Sequence, residues 1–206
     1  SSTTTNYGAY LMGRLFLLDE SLVLSSALRY DYYNVSDDFK GRGLRKQMTD
    51  HNTTFDGLSP SFGVAYLPID WLKLRANYTR GFRAPSGREL VEDRQYNFWG
   101  NPENKAERSD NYETGFDILT DSFNFSLTYY YSYTRDYIYQ HRDPAYPQNK
   151  VQNADKQIRD GLELFASFDV AKYIGWDDFV IRPSFSYNYI FRNKEKYRSY
   201  SRWEDN

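Results

Sequence analysis

Phe123-Asn124-Phe125-Ser126-Leu127-Thr128-Tyr129-Tyr130-Tyr131-Ser132-Tyr133-Thr134-Arg135-Asp136-Tyr137 is the stretch whose reading decides the fold. Every second side chain from Phe123 to Tyr137 is large and apolar, with Arg135 as the break. Asn, Ser, Thr, Asp and one Tyr fill the positions between. A period of two marks a β-strand with one apolar and one polar face. Globular strands usually run about five or six residues, and this pattern persists from 123 to 137. A strand that long, greasy on one side and hydroxyl-rich on the other, suits a wall between lipid and water.

The alternation recurs along the chain. Tyr7, Ala9, Leu11, Leu15 and Leu17 form one apolar column, and Leu22, Leu24, Leu28, Tyr30 and Tyr32 the next. Further columns are Leu58–Phe62–Val64–Tyr66, Leu72–Leu74–Ala76–Tyr78 and Tyr112–Phe116–Ile118. Beyond the opening stretch come Leu162–Leu164–Ala166–Phe168–Val170 and Phe179–Ile181–Phe185–Tyr187–Tyr189–Phe191. That reading gives eight strands. Pro183 lacks a ladder donor, so its place is near a strand start or an irregular pairing.

The connections alternate in length. Residues 19–21, 68–70, 120–122 and 171–178 are short, whereas 34–57, 81–110 and 138–156 are long and polar. Tight turns at one end and extended loops at the other are the asymmetry of an outer-membrane barrel. A soluble sandwich or lectin-like jelly roll is the competing architecture, and it has no reason to keep its long loops at one end. The aromatic fraction of 19%, with 21 Tyr, fits girdles at two membrane interfaces. The fold class expected is therefore all-β, a transmembrane antiparallel up-and-down β-barrel.

Composition narrows the function. A net charge of −2 without a basic tract offers no nucleic-acid footprint. No run of 18 apolar residues exists, which excludes a transmembrane helix. With 0 Cys there are no disulfides or thiolate metal sites. His51 and His141, the chain's 2 His, lie in long loops beside Asp50 and Asp143. Nothing resembles a nucleophile elbow, a zinc-protease helix or a phosphate loop, so no enzyme, metal site or cofactor is expected.

Two segments carry a family likeness. One is Tyr78-Thr79-Arg80-Gly81-Phe82-Arg83-Ala84-Pro85-Ser86 with Glu89-Leu90. The other is Gly100-Asn101-Pro102-Glu103-Asn104-Lys105-Ala106-Glu107-Arg108-Ser109 leading into Asn111-Tyr112-Glu113-Thr114-Gly115. Asp136-Tyr137-Ile138, Asn153-Ala154, Gly161-Leu162-Glu163-Leu164, Ser59-Pro60-Ser61-Phe62-Gly63 and Leu28-Arg29-Tyr30-Asp31 follow the same pattern. Together they resemble the barrel of TonB-dependent outer-membrane receptors, with Lys105-Ala106-Glu107 where Lys-Pro-Glu is usual.

That resemblance implies a barrel of about 22 strands around a plug, of which residues 1–206 would be an internal segment. On that reading the plug domain, the TonB box and the closing strand lie outside it. Both chain ends are placed at the long-loop side, and the polar run from Arg192 to Asn206 opens another long loop. The implied function is energy-coupled import of a scarce nutrient, most often a ferric siderophore or similar metal chelate, or a vitamin. Partners implied are outer-membrane lipid, the plug of the same chain and the TonB complex, with the cell outer membrane as location. A structural, adhesive or passively conducting barrel is the alternative.

Site residues follow from the same frame. Arg83, Arg88, Arg94, Tyr96 and Trp99 lie in the loop after the fourth strand, where by resemblance substrate is bound. Arginines beside aromatics suit an anionic or aromatic chelate. Arg29, Lys73, Arg75, Glu113, Asp117, Arg159, Glu163 and Arg182 fall on the polar face, towards the lumen or plug. There they serve as paired structural charges or line a wet lumen.

Overall fold

The computed structural model describes residues 2–37, 51–90, 92–93, 98–142, 149–154, 156–176, 178–196 and 203–205. In chain order it contains β1 (Ser2–Leu17), β2 (Leu22–Asp37), β3 (His51–Ile69), β4 (Leu72–Arg83), helix α1 (Gly87–Leu90), β5 (Glu92–Asp93) and β6 (Phe98–Trp99). There follow β7 (Glu107–Leu119), β8 (Phe123–Arg135), β9 (Ile138–Arg142), β10 (Asn149–Asn153) and β11 (Lys156–Phe168). Helix α2 (Val170–Tyr173), β12 (Ser184–Lys196) and β13 (Trp203–Asp205) complete the order.

The main sheet is antiparallel, in the order β1-β2-β3-β4-β7-β8-β11-β12-β13. Its eight long strands are the eight read from the sequence, each paired with its neighbour along the chain. A second sheet, β5-β6-β10-β9, is made from residues of the two long connections. All short turns fall at one end and all long connections at the other.

Register aligns the apolar columns. Leu74, Phe116, Leu127, Leu164 and Tyr187 stand opposite one another across five strands. Tyr78, Tyr112 and Tyr131 form an aromatic row nearer the long-loop end, with ring centroids 5.1 Å and 6.2 Å apart. This face is not covered by any of the described residues. Leu11 is 77% exposed, Phe62 57% and Phe185 59%, and the buried apolar residues are few. A contiguous apolar face of this size is not stable against water and requires an apolar surround.

Several boundaries depart from the pattern. The fourth strand continues to Arg83 and the fifth starts at Glu107, so residues expected in the loop 81–110 are strand. The run from Arg192 is likewise not a loop at first: β12 continues to Lys196 and Trp203–Asp205 pairs back onto it. Towards the top of the apolar face charged side chains pair with one another or reach headgroups and water, where charge costs less, so the alternation fades while the ladder continues. At the other end β12 begins at Ser184 rather than near Phe179, because Pro183 has no amide to enter the ladder. The eighth column is thereby shortened, and Arg182 precedes the strand.

Pro60 illustrates the same rule inside the sheet. It stands opposite Leu28 on β2, but pairing of β3 with β4 stops at Ser61–Thr79. Beyond it Phe82 is set against Tyr33, with centroids 6.0 Å apart. Its ring also packs on Gly57, where an added Cβ would lie 2.2 Å from a ring carbon.

Candidate functional site

The quoted motif segments converge at the long-loop end. Arg83, last in β4, donates from Nε and Nη2 to the Glu107 carboxylate at 2.8 Å and 3.0 Å. Its Nη1 reaches Glu89 at 3.1 Å. Glu89 also accepts from the Ser86 amide at 2.8 Å and hydroxyl at 3.0 Å, closing the turn into α1. The Glu89 carbonyl accepts from the Asn101 amide at 2.9 Å and from Asn104 Nδ2 at 3.0 Å.

The second segment is tied to Asn153-Ala154 and Asp136-Tyr137-Ile138 through the Asn153 side-chain amide. Asn153 accepts from the Lys105 amide at 2.7 Å, and donates to the Lys105 carbonyl at 3.0 Å and the Asp136 carbonyl at 2.6 Å. Glu107 accepts from the Ile138 amide at 2.6 Å. Pro85, Leu90, Ile138, Val151 and Ala154 are buried here, and α1 lies against β1 and β2. The described parts of the second and third long connections are thus held as one polar and apolar assembly over the end of the sheet.

Beneath it a cavity of about 290 Å³ is lined by Arg83, Glu107, Ser109, Thr134, Tyr137 and Gln157, among others. The bond to Glu107 holds the Arg83 guanidinium above its ordinary pKa. Burial, with Glu195 and Glu107 nearby, raises that of Tyr137. Asp136 has a φ of 51°, and this left-handed residue turns Tyr137 into the cavity. The column of β8 therefore ends at Arg135, two residues short of the expected end.

The polar face carries ion pairs among the described residues, at Arg75 and at Arg29. Arg75 donates to Asp117 at 3.1 Å and 3.2 Å, to Ser126 at 2.9 Å and to Thr128. Ser126 donates to Asp117 at 2.7 Å, so β4, β7 and β8 are cross-linked. Arg29 pairs with Asp31 two residues on, at 2.8 Å. Lys73 stands opposite Asp117, and Arg159 opposite Ser132 and Asn193. Glu113 stands opposite Asn77 and Tyr130, and Glu163 accepts from Asn188 at 3.4 Å. Arg182 instead sits in the connection, 3.1 Å from Asp169.

Of the loop residues, Arg83 is in the assembly just described. Arg88 lies in α1 and Trp99 in β6. Arg94 and Tyr96 lie outside the described residues. His51 opens β3 and His141 lies in β9.

Two carboxylates on the apolar face escaped the sequence reading. Asp110 accepts from Tyr78 at 2.7 Å, Arg80 at 2.8 Å and Arg135 at 2.8 Å. Asp160 accepts from Tyr129 at 3.0 Å and from Arg192 at 2.7 Å and 3.0 Å. Alternation places Arg192 on the polar face. A register shift between Asp160 and Gly161 turns it over, as a bulge does. The charged breaks in otherwise apolar columns were the available signal.

A one-layer antiparallel sheet with an exposed apolar face, a polar opposite face and all long loops at one end is the wall of a membrane barrel. The family model described as "TonB dependent receptor-like, beta-barrel" matches residues 1–206, and the chain belongs to that family. It is 29% identical over 199 residues to the heme/hemopexin utilization protein C of Haemophilus influenzae, covering 84% of this chain and 26% of that protein. It is 26% identical over 188 residues to the hemin receptor of Yersinia pestis, covering 82% and 26%. The chain thus spans about a quarter of the length of these relatives.

Solved structures share the fold. The hemophore receptor HasR of Serratia marcescens superposes with a TM-score of 0.71 at 20% identity, over 92% of this chain and 35% of that one. The copper transporter OprC gives 0.73 at 18%, over 93% and 30%. The homologues are transport receptors, not enzymes.

Proposed function

We propose that this chain is part of the barrel wall of an outer-membrane receptor that imports an iron-bearing chelate, with heme as the first candidate. The observation that supports the reading is the motif-built assembly at the long-loop end, which fixes the loop bases rigidly over one mouth of the sheet. Binding residues are best held on a rigid scaffold. Arg83 anchors the loop through Glu107 and Glu89, which leaves Arg88, Arg94, Tyr96 and Trp99 as the residues proposed to meet substrate. The names of the relatives, hemin and heme/hemopexin receptors, favour heme over a siderophore. The sheet is proposed to be closed by further strands of the same protein around a plug. The polar face, with Arg75–Asp117 and Arg29–Asp31, lies towards that plug, and energy comes from the TonB complex.

Hemin titrated into the purified full-length receptor tests this. A shifted Soret band that saturates at one hemin per receptor is expected. Absence of a shift with hemin, together with no tryptophan quenching by ferric siderophores, overturns the proposal.

A further inference from the structure

Above the aromatic row the apolar face carries a line of like charge. Arg108 on β7 stands opposite Arg135 on β8, Arg135 opposite Lys156 on β11, and Lys156 opposite Lys196 on β12. Four adjacent strands thus present four cations in one register row. Like charges placed directly opposite destabilise a sheet. One carboxylate, Asp110, bonds Arg135 from the row below. The ring of Tyr133 lies under Arg135, at 5.9 Å, and Lys156, at 6.0 Å. Arg108 is exposed and unpaired among the described residues.

Height identifies what such a row meets. Arg135 is the last and Phe123 the first residue of β8. At about 3.4 Å per residue and a tilt near 40°, the cations sit about 30 Å above Phe123. That is the thickness of a bilayer's hydrocarbon core. The row therefore lies where acyl chains give way to headgroups, on the side of the long loops. Acyl chains have the exposed columns below to lie on, and among the described residues Arg108, Lys156 and Lys196 have no anion of their own on that row.

We propose that this row binds the phosphate-bearing headgroup of an anionic outer-leaflet lipid, with the acyl chains on the Leu127–Leu164 face. The proposal rests on the reading of that face as lipid-facing. Each cation near an anionic surface is worth about a fivefold gain in binding, so removing three should weaken it on the order of a hundredfold.

The full-length receptor is placed in phosphatidylcholine nanodiscs and titrated with diphosphoryl lipid A, bound lipid being counted by mass spectrometry. The receptor with R108Q, K156Q and K196Q together should bind about a hundredfold more weakly. A charge-keeping variant with R108K, K156R and K196R should bind normally, which separates charge from folding. Dephosphorylated lipid should bind neither the receptor nor its charge-keeping variant tightly.

Equal binding by the Gln variant, or by dephosphorylated lipid, overturns the proposal. Displacement of the lipid by inorganic phosphate alone marks a free-anion site and also overturns it. Nitroxides at L127C and L164C keep the two readings apart. Labels reached by oxygen and shielded from a water-soluble relaxant, with phosphate-independent lipid binding, sink the headgroup site alone; labels open to the water-soluble reagent sink the lipid-facing reading with it.

Discussion

Asp110 stands on the apolar face, where a lone carboxylate is costly, and is bonded by Tyr78, Arg80 and Arg135. Its side chain is 11% exposed, whereas those of Arg80 and Arg135 are 37% and 49% exposed. Breaking a fully buried pair costs about 3–5 kcal/mol, and an exposed one under about 1 kcal/mol. Asp110→Ala should therefore cost about 2 kcal/mol, read as a lower unfolding midpoint of the receptor in detergent. Adding Arg135→Gln should recover part of that loss, since the pair is then removed together. Gly115 makes a different kind of demand. A Cβ there would lie 2.2 Å from the Leu127 carbonyl oxygen, and backbone cannot rotate away. Gly115→Ala should push β7 from β8 and cost about 1–3 kcal/mol, seen by the same midpoint.

At the scale of elements, α2 is capped by Asp169, which accepts from the Lys172 amide at 3.2 Å and from Arg182 at 3.1 Å. The Lys172 amide foremost, then Arg182, holds the Asp169 carboxyl below its ordinary pKa despite its burial. A depressed folded value means the cap contributes above the unfolded pKa of about 3.9. That contribution is lost only as the pH falls through the lower folded value. The Lys172 amide should thus keep its exchange protection through mildly acidic pH and lose it in strong acid. In Asp169→Asn, which caps without titrating, the loss should vanish. At the other end Glu107 joins β4 to β9 through Arg83 and the Ile138 amide. Glu107→Ala should raise exchange at Ile138 and expose the β9–β10 hairpin to protease, while exchange in β8 stays unchanged.

These elements also show what the sequence could and could not reveal. Strand number and order were legible because alternation is enforced wherever one face meets an apolar phase, as in Phe123–Tyr133. Where that phase ends, selection for alternation ends too, so the upper ends of β4 and β12 looked like loop. Arg192 was misplaced because a one-residue bulge inverts facing while leaving composition untouched. Glu107 and Asn153 lay in the quoted motifs, but their bonds to Arg83, Ile138 and Lys105 join residues 24 to 48 apart in the chain, which no local spacing encodes. Arg135 read only as a break in the column; its partner Asp110 sits on another strand.

For the whole molecule the decisive fact is an apolar face over which none of the described residues is laid. A soluble sheet would bury these columns under a second layer, and here the second sheet is confined to the long-loop end. Neighbouring residues of one strand should then respond unequally to the same charge. Leu162 and Tyr129 are directly opposed on the apolar face, and Tyr129 is midway between Phe123 and Arg135, so Leu162 lies near mid-membrane. Glu163, one residue on, is on the polar face opposite Thr128 and Asn188. Leu162→Arg should cost about 2–4 kcal/mol for transfer of the cation to the membrane midplane. Glu163→Arg loses one long hydrogen bond in a wet polar setting and should stay within about 1 kcal/mol. Denaturant titrations of the full-length receptor folded into lipid vesicles measure both. Equal costs would mean that the two faces meet the same medium, and the sheet would not be a membrane wall.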